Sequence, residues 1–135
     1  MAPGRPPRVM DPCSAEFWHY TETKELRVQK CSDCQKRRWP PSPFCDACLS
    51  EDYTWPVVTG LAKLLSWVVF HKQYFPEYPP GNVVIAAELD EGPIFISTID
   101  HSYLDMLRDG LSLKVGWVEG EDRLGQYHLP IFLPA

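Results

Sequence analysis

The stretch CSDCQKRRWPPSPFCDAC, from Cys31 to Cys48, decides how this chain is read. It holds four of the five cysteines, as two Cys-x-x-Cys pairs with ten residues between them. Each pair can turn two sulfurs toward one point on a tight knuckle. Two knuckles then supply the four thiolates, Cys31, Cys34, Cys45 and Cys48, that a tetrahedral zinc ion accepts. With four protein ligands no position stays open for water or substrate, so the expectation is one structural zinc ion and not a catalytic one. Pro40, Pro41 and Pro43 restrict the connecting segment. A ribbon this small buries little apolar surface, so the metal must supply much of its folding energy. Thiols alone leave other chemistries open: a rubredoxin-like iron site, an iron–sulfur cluster, or redox dithiols and disulfides. Knuckles of this kind often carry glycine after the second cysteine, where the chain turns. Here Gln35 and Leu49 stand at those places.

Outward from this segment, the 135 residues suit one domain with a small appendage. A hydrophobic share of 44% is enough for a modest core, and 13% aromatic residues can serve a core or an interface. The N-terminal MAPGRPPRVM has arginines but no apolar run behind them, and reads as a loose tail rather than a secretion signal. The run LLSWVVF, Leu64 to Phe70, is far shorter than the roughly 20 residues of a membrane span. The chain is therefore expected in the cytoplasm, off the membrane. A reducing compartment favours metal thiolates over disulfides.

The periodicity changes along the chain. Asp11 can cap a helix and Pro12 suits its first position, which predicts a helix running to about Leu26. Phe17, Trp18 and Tyr20 crowd its middle. They are expected to meet a partner, the alternative being the protein's own core. Val57 to Lys72 reads as a long strand with a bend or bulge at Gly60. A proline- and aromatic-rich loop follows, and its Tyr74, Phe75 and Tyr78 are candidate contacts for a partner or ligand. NVVIAAELD and PIFISTID read as two strands joined through Glu91-Gly92. SYLDMLRDG reads as a short helix capped by Ser102 and ended by Gly110; LSLKVGWVEG and YHLPIFLP are the last extended segments. Five strands with a helix between the third and fourth is the order of an OB-type barrel. The expected fold is thus mainly β. A tail and helix span 1–26, a rubredoxin-like zinc ribbon 27–56, and a five-stranded OB-fold barrel 57–135.

Charge and chemistry narrow the function. Residues 24–38 hold six basic against two acidic side chains, whereas residues 57–135 hold five basic against ten acidic ones. An acidic barrel would repel a polyanion laid across its face, so a nucleic-acid-binding ribbon and barrel is the second reading and not the first. The basic segment, with Arg37 and Arg38, could instead meet an acidic partner or the phosphates of coenzyme A. His19, His71, His101 and His128 are scattered, and the chain has no glycine-rich phosphate loop, HExxH motif or nucleophile elbow. Cys13 with His19 could form a nucleophile and base, but a lone cysteine is more often an incidental thiol. Asp100-His101 could do acid–base work, but such a pair before a helix is more often a cap. No catalytic residue is assigned, and a binding or accessory role is expected.

The ordered set of features resembles one family. An aromatic helix, Cys31-x-x-Cys34, Trp39-Pro40-Pro41, Cys45-x-x-Cys48, Trp55-Pro56 and Val58-Thr59-Gly60 are followed by Glu88-Leu89-Asp90-Glu91-Gly92 and a terminal Leu129-Pro130-Ile131-Phe132. This is similar to the zinc-ribbon plus OB-fold family known as domain of unknown function thirty-five, over about residues 12–134. The resemblance implies a non-catalytic accessory subunit of thiolase-superfamily enzymes acting on acyl-CoA thioesters. Those partners include thiolases, hydroxymethylglutaryl-CoA synthases, retro-aldolases and acyltransferases. It further implies a hetero-oligomer with a thiolase-like protein, and acyl-CoA at the shared interface. The larger subunit would bring the catalytic residues for carbon–carbon bond cleavage or formation, as in lipid or aromatic degradation.

Overall fold

The computed structural model describes residues 11–71 and 81–135. Tyr74, Phe75 and Tyr78 lie outside the described residues. The described residues open with one helix, α1 (Pro12–Thr21), capped by Asp11, whose carboxylate accepts from the amides of Cys13 and Ser14. Cys13, Phe17 and Thr21 are its buried residues. They recur every four positions, so a single stripe of the helix faces inward. The helix is shorter than its sequence predicts. The Thr21 hydroxyl donates back to the carbonyl of Trp18 (2.7 Å), and Lys24 takes a left-handed φ of 59°, which ends the turn. Leu26 thereby leaves the helix and enters the core, 3% exposed.

Three short strands follow: β1 (Gln29–Cys31), β2 (Arg37–Arg38) and β3 (Tyr53–Thr54), in the order β2-β1-β3, all antiparallel. Then comes a five-stranded antiparallel sheet: β4 (Leu61–Phe70), β5 (Asn82–Leu89), β6 (Ile94–Ile99), β7 (Ser112–Asp122) and β8 (Gly125–Pro134), in the order β6-β5-β4-β7-β8. A 3₁₀ helix, His101–Met106, sits between β6 and β7. The first three strands form a meander, and the fourth returns to pair with the first. That is the OB-like arrangement expected. The outer strands β6 and β8 meet where the Ser97 hydroxyl donates to the Pro130 carbonyl (2.7 Å).

The strand boundaries differ from the sequence reading for local reasons. β4 begins at Leu61 and not at Val57, because Gly60 turns the chain with φ +80°. A Cβ on Gly60 would lie 2.4 Å from Cγ1 of Val115, so β7 crosses this point too closely for any side chain. The bulge sits further on: the register with β5 shifts between Leu64 and Ser66. The 3₁₀ helix is capped by Asp100, which accepts from the Ser102 amide, and not by Ser102 itself. Leu107 is already extended, before Gly110. β7 and β8 form one long hairpin, closed by a turn at Arg123-Leu124 where the Leu124 amide donates to Asp122.

One core joins all three parts. Leu64, Val83, Ile85, Leu89, Leu113 and Phe132 come from the sheet, Val28 and Trp55 from the ribbon, and Phe17 from the helix. The Trp39 ring stacks on Phe95 of β6 (4.5 Å between centroids, 27° between planes) and meets Phe17 edge-on at 4.6 Å. Burial of these rings fixes where the ribbon sits on the barrel. No helix among the described residues is long and apolar enough to cross a membrane.

Candidate functional site

The metal centre is built by two matching turns. In the first, the Gln35 amide donates to the Cys31 carbonyl (3.1 Å) and the Cys34 amide to Sγ of Cys31 (3.5 Å). In the second, the Leu49 amide donates to the Cys45 carbonyl (2.9 Å) and the Ala47 amide to Sγ of Cys45 (3.4 Å). Gln35 and Leu49, standing where glycine is usual, adopt the left-handed φ the turn demands, 67° and 63°. The turn survives without glycine, at some conformational cost. All four sulfurs lie within 4.8 Å of one another. Cys31 and Cys45 are buried, Cys34 and Cys48 exposed.

The donor set fits a divalent thiophilic ion. The Cys34 amide, followed by the Asp33 amide and the neighbouring thiols, holds the Cys31 thiol down at about 6. Amides of Cys48 and Ala47 likewise lower Cys45. The Ser50 amide pulls Cys48 down too, but the neighbouring thiols and desolvation outweigh it and push that group up to about 12. Four thiolates this close repel each other, and a bound zinc ion relieves the repulsion while completing its tetrahedral shell.

The basic segment around these turns is largely spent. Arg38 is 8% exposed: its Nε donates to Gln29 (3.0 Å), its Nη2 to the Ser42 carbonyl (2.8 Å), and its guanidinium lies over Tyr53. Within this chain its guanidinium is thus turned onto the ribbon's own groups. Lys36 pairs with Asp46 at 2.8 Å, and Arg27 with Glu25 and the Trp55 carbonyl. Four thiolates around one divalent ion carry a further formal charge of about −2. The local excess of positive charge seen in the sequence is thus mostly compensated. Arg37 is half-buried in β2.

Beside the ribbon lies a largely apolar cleft of about 710 Å³. Phe17, Trp18 and Trp39 wall one side, Phe95 to His101 another, and Leu129 to Ile131 a third. Phe17 is 4% exposed and packs in the core, so it is not the surface residue its sequence context suggested. Trp18 is half-buried with its ring edge-on to Tyr127 at 5.3 Å. The cleft is the feature that sequence reasoning missed. Its walls come from α1, the ribbon and strands β5 to β8, which are spread along the sequence. Asp100 serves as a helix cap, and Cys13 is buried with its sulfur 3.7 Å from the Tyr53 hydroxyl.

Residues 18–54 match the family model described as "ChsH2, rubredoxin-like zinc ribbon domain". Over 96% of this chain and 98% of the other, the fold superposes on a chain of the solved Ltp2-ChsH2(DUF35) aldolase with a TM-score of 0.83 and 27% identity. A probable enoyl-CoA hydratase alpha subunit of Thermomonospora curvata is 28% identical over 131 residues. This chain spans 40% of that relative's length. The segment around the four cysteines is therefore a zinc ribbon similar to that of ChsH2, carried on an OB-like sheet.

Proposed function

We propose that this chain is a non-catalytic accessory subunit that binds a thiolase-superfamily partner and supports carbon–carbon bond cleavage or formation in acyl-CoA thioesters. The observation that carries this is the end-to-end likeness to a chain of the Ltp2-ChsH2(DUF35) aldolase. Three features of the molecule support it. The metal centre is closed by four protein ligands, so it offers structure and not chemistry. Of the groups weighed as catalysts, Asp100 caps the 3₁₀ helix and Cys13 is buried. The apolar cleft presents aromatic walls suited to the acyl part of a thioester or to a partner's side chains.

The test is co-expression with a thiolase-like protein of the same organism, followed by affinity capture of this chain. The expected result is a stable hetero-oligomer whose acyl-CoA cleavage exceeds that of either subunit alone. A partner equally active without this chain, with no complex at micromolar concentration, would refute the reading. The hydratase relative names the second arm. If the complex hydrates enoyl-CoA and leaves carbon–carbon bonds intact, the partner is a hydratase and not a thiolase-like lyase.

A further inference from the structure

We propose that peroxide converts the zinc centre into two disulfides that cross between the knuckles, Cys31–Cys48 and Cys34–Cys45, so that a covalent clip replaces the metal one. The geometry favours this pairing. Sγ of Cys31 lies 3.5 Å from Sγ of Cys48, and Sγ of Cys34 lies 3.6 Å from Sγ of Cys45. Closing from there to bonding distance takes a movement of about 1.5 Å. Each crossed pair joins one exposed cysteine to one buried cysteine. The buried sulfur of each pair accepts an amide from its own turn, which holds it in place facing the other knuckle.

The chemistry follows from exposure. The Cys48 thiolate attacks one oxygen of hydrogen peroxide; the oxygen–oxygen bond breaks, hydroxide leaves, and Cys48 becomes a sulfenic acid. The Cys31 thiolate then attacks the Cys48 sulfur, forming the sulfur–sulfur bond and expelling the second hydroxide. Two thiolates have lost two electrons and one peroxide has gained them, ending with two protons as two waters. Cys34 and Cys45 repeat the sequence with a second peroxide. The metal then has no thiolate left to hold it.

The pairing decides what oxidation does to the protein. Crossed bonds tie the same two turns that the metal ties, so Trp39 stays on Phe95 and Tyr53 stays by the helix. Bonds within each Cys-x-x-Cys would leave the two turns unconnected. Loss of zinc would then loosen the ribbon's hold on both the barrel and α1.

The zinc-loaded full chain is treated with hydrogen peroxide beside a chromophoric zinc chelator, then digested with trypsin without reduction. Trypsin cleaves after Lys36, Arg37 and Arg38, between the two motifs. Crossed bonds therefore hold the Cys31–Lys36 peptide to the peptide beginning at Trp39, and fragmentation identifies the partners. The expected result is one zinc released per two peroxides, the Cys31–Cys48 and Cys34–Cys45 links, and near-ultraviolet circular dichroism of the tryptophans retained. Links within each motif, the opposite crossing of Cys31–Cys45 with Cys34–Cys48, a link to Cys13, sulfinic acids in place of disulfides, or loss of the near-ultraviolet signal along with zinc would each overturn the proposal.

Discussion

Trp55, just past the last ribbon strand, donates from its indole Nε1 to Oε2 of Glu16 on the N-terminal helix, at 2.6 Å. The other oxygen of the same carboxylate accepts from the Tyr53 hydroxyl at 2.8 Å. One side chain thus ties α1 to both aromatic residues at the ribbon's edge. Replacing it removes the acceptor for two partly buried donors at once. Glu16→Ala is expected to cost about 2 kcal/mol of stability, within the range for hydrogen bonds to a charged group. Glu16→Gln should recover only part of it, since its amide nitrogen would face a donor. Thermal unfolding of the two variants checks this, with zinc content unchanged in both.

Zinc binding should depend on pH in a definite direction. In the metal-free chain the Cys34 and Cys48 thiols are raised and keep their protons at neutral pH, Cys48 up to about 12. Cys31 is already ionised, having been lowered to about 6. The zinc-bound state carries no thiol protons, so the free state holds more, and affinity must rise with pH. Competition titrations between pH 6 and 8 should show tighter binding at the higher pH. Loading in weak buffer at pH 7.5 should release protons, those of Cys34 and Cys48 among them. The purified protein should hold one zinc per chain, and Cys31→Ser or Cys45→Ser should abolish stoichiometric binding.

Gln35 and Leu49 pay for left-handed backbone that glycine adopts freely. Leu49 is 71% exposed, so truncating it forfeits little packing. Leu49→Gly is expected to leave stability unchanged or to raise it by up to ~1 kcal/mol, the strain relieved being set against a freer unfolded chain. An equilibrium denaturation curve of the zinc-loaded variant decides it. A clear loss of stability would show that the Leu49 side chain packs more than its exposure indicates.

Phe17 and Gly60 report on the core junction. Phe17→Ala should destabilise the isolated chain by about 3–5 kcal/mol, as for other buried aromatic truncations. Such a loss marks it as a core residue, even though it also floors the cleft. Gly60→Ala combines a forbidden φ with a Cβ 2.4 Å from the Val115 side chain, so it should cost about 2 kcal/mol or more. Denaturation midpoints of both variants, at matched zinc content, test these values.

Spacing and composition alone determined the four cysteines, the Asp11 cap, the Glu91-Gly92 hairpin and the order of strands and helix along the chain. These are local properties: two sulfurs turned inward by one knuckle, a carboxylate within reach of the next amides, alternation along a strand. The partners of side chains far apart in sequence are not local, and only the tertiary structure decided them. Arg38 read as a surface cation, yet Gln29, Ser42 and Tyr53 close around it once β1, β2 and β3 are paired. Phe17 read as an exposed ring, yet Trp39 and Phe95 bury it, because the ribbon folds back between helix and barrel. The helix end at Thr21 followed the same logic. There the backbone went where Leu26 could enter the core, a requirement set by strands that no window around that residue contains.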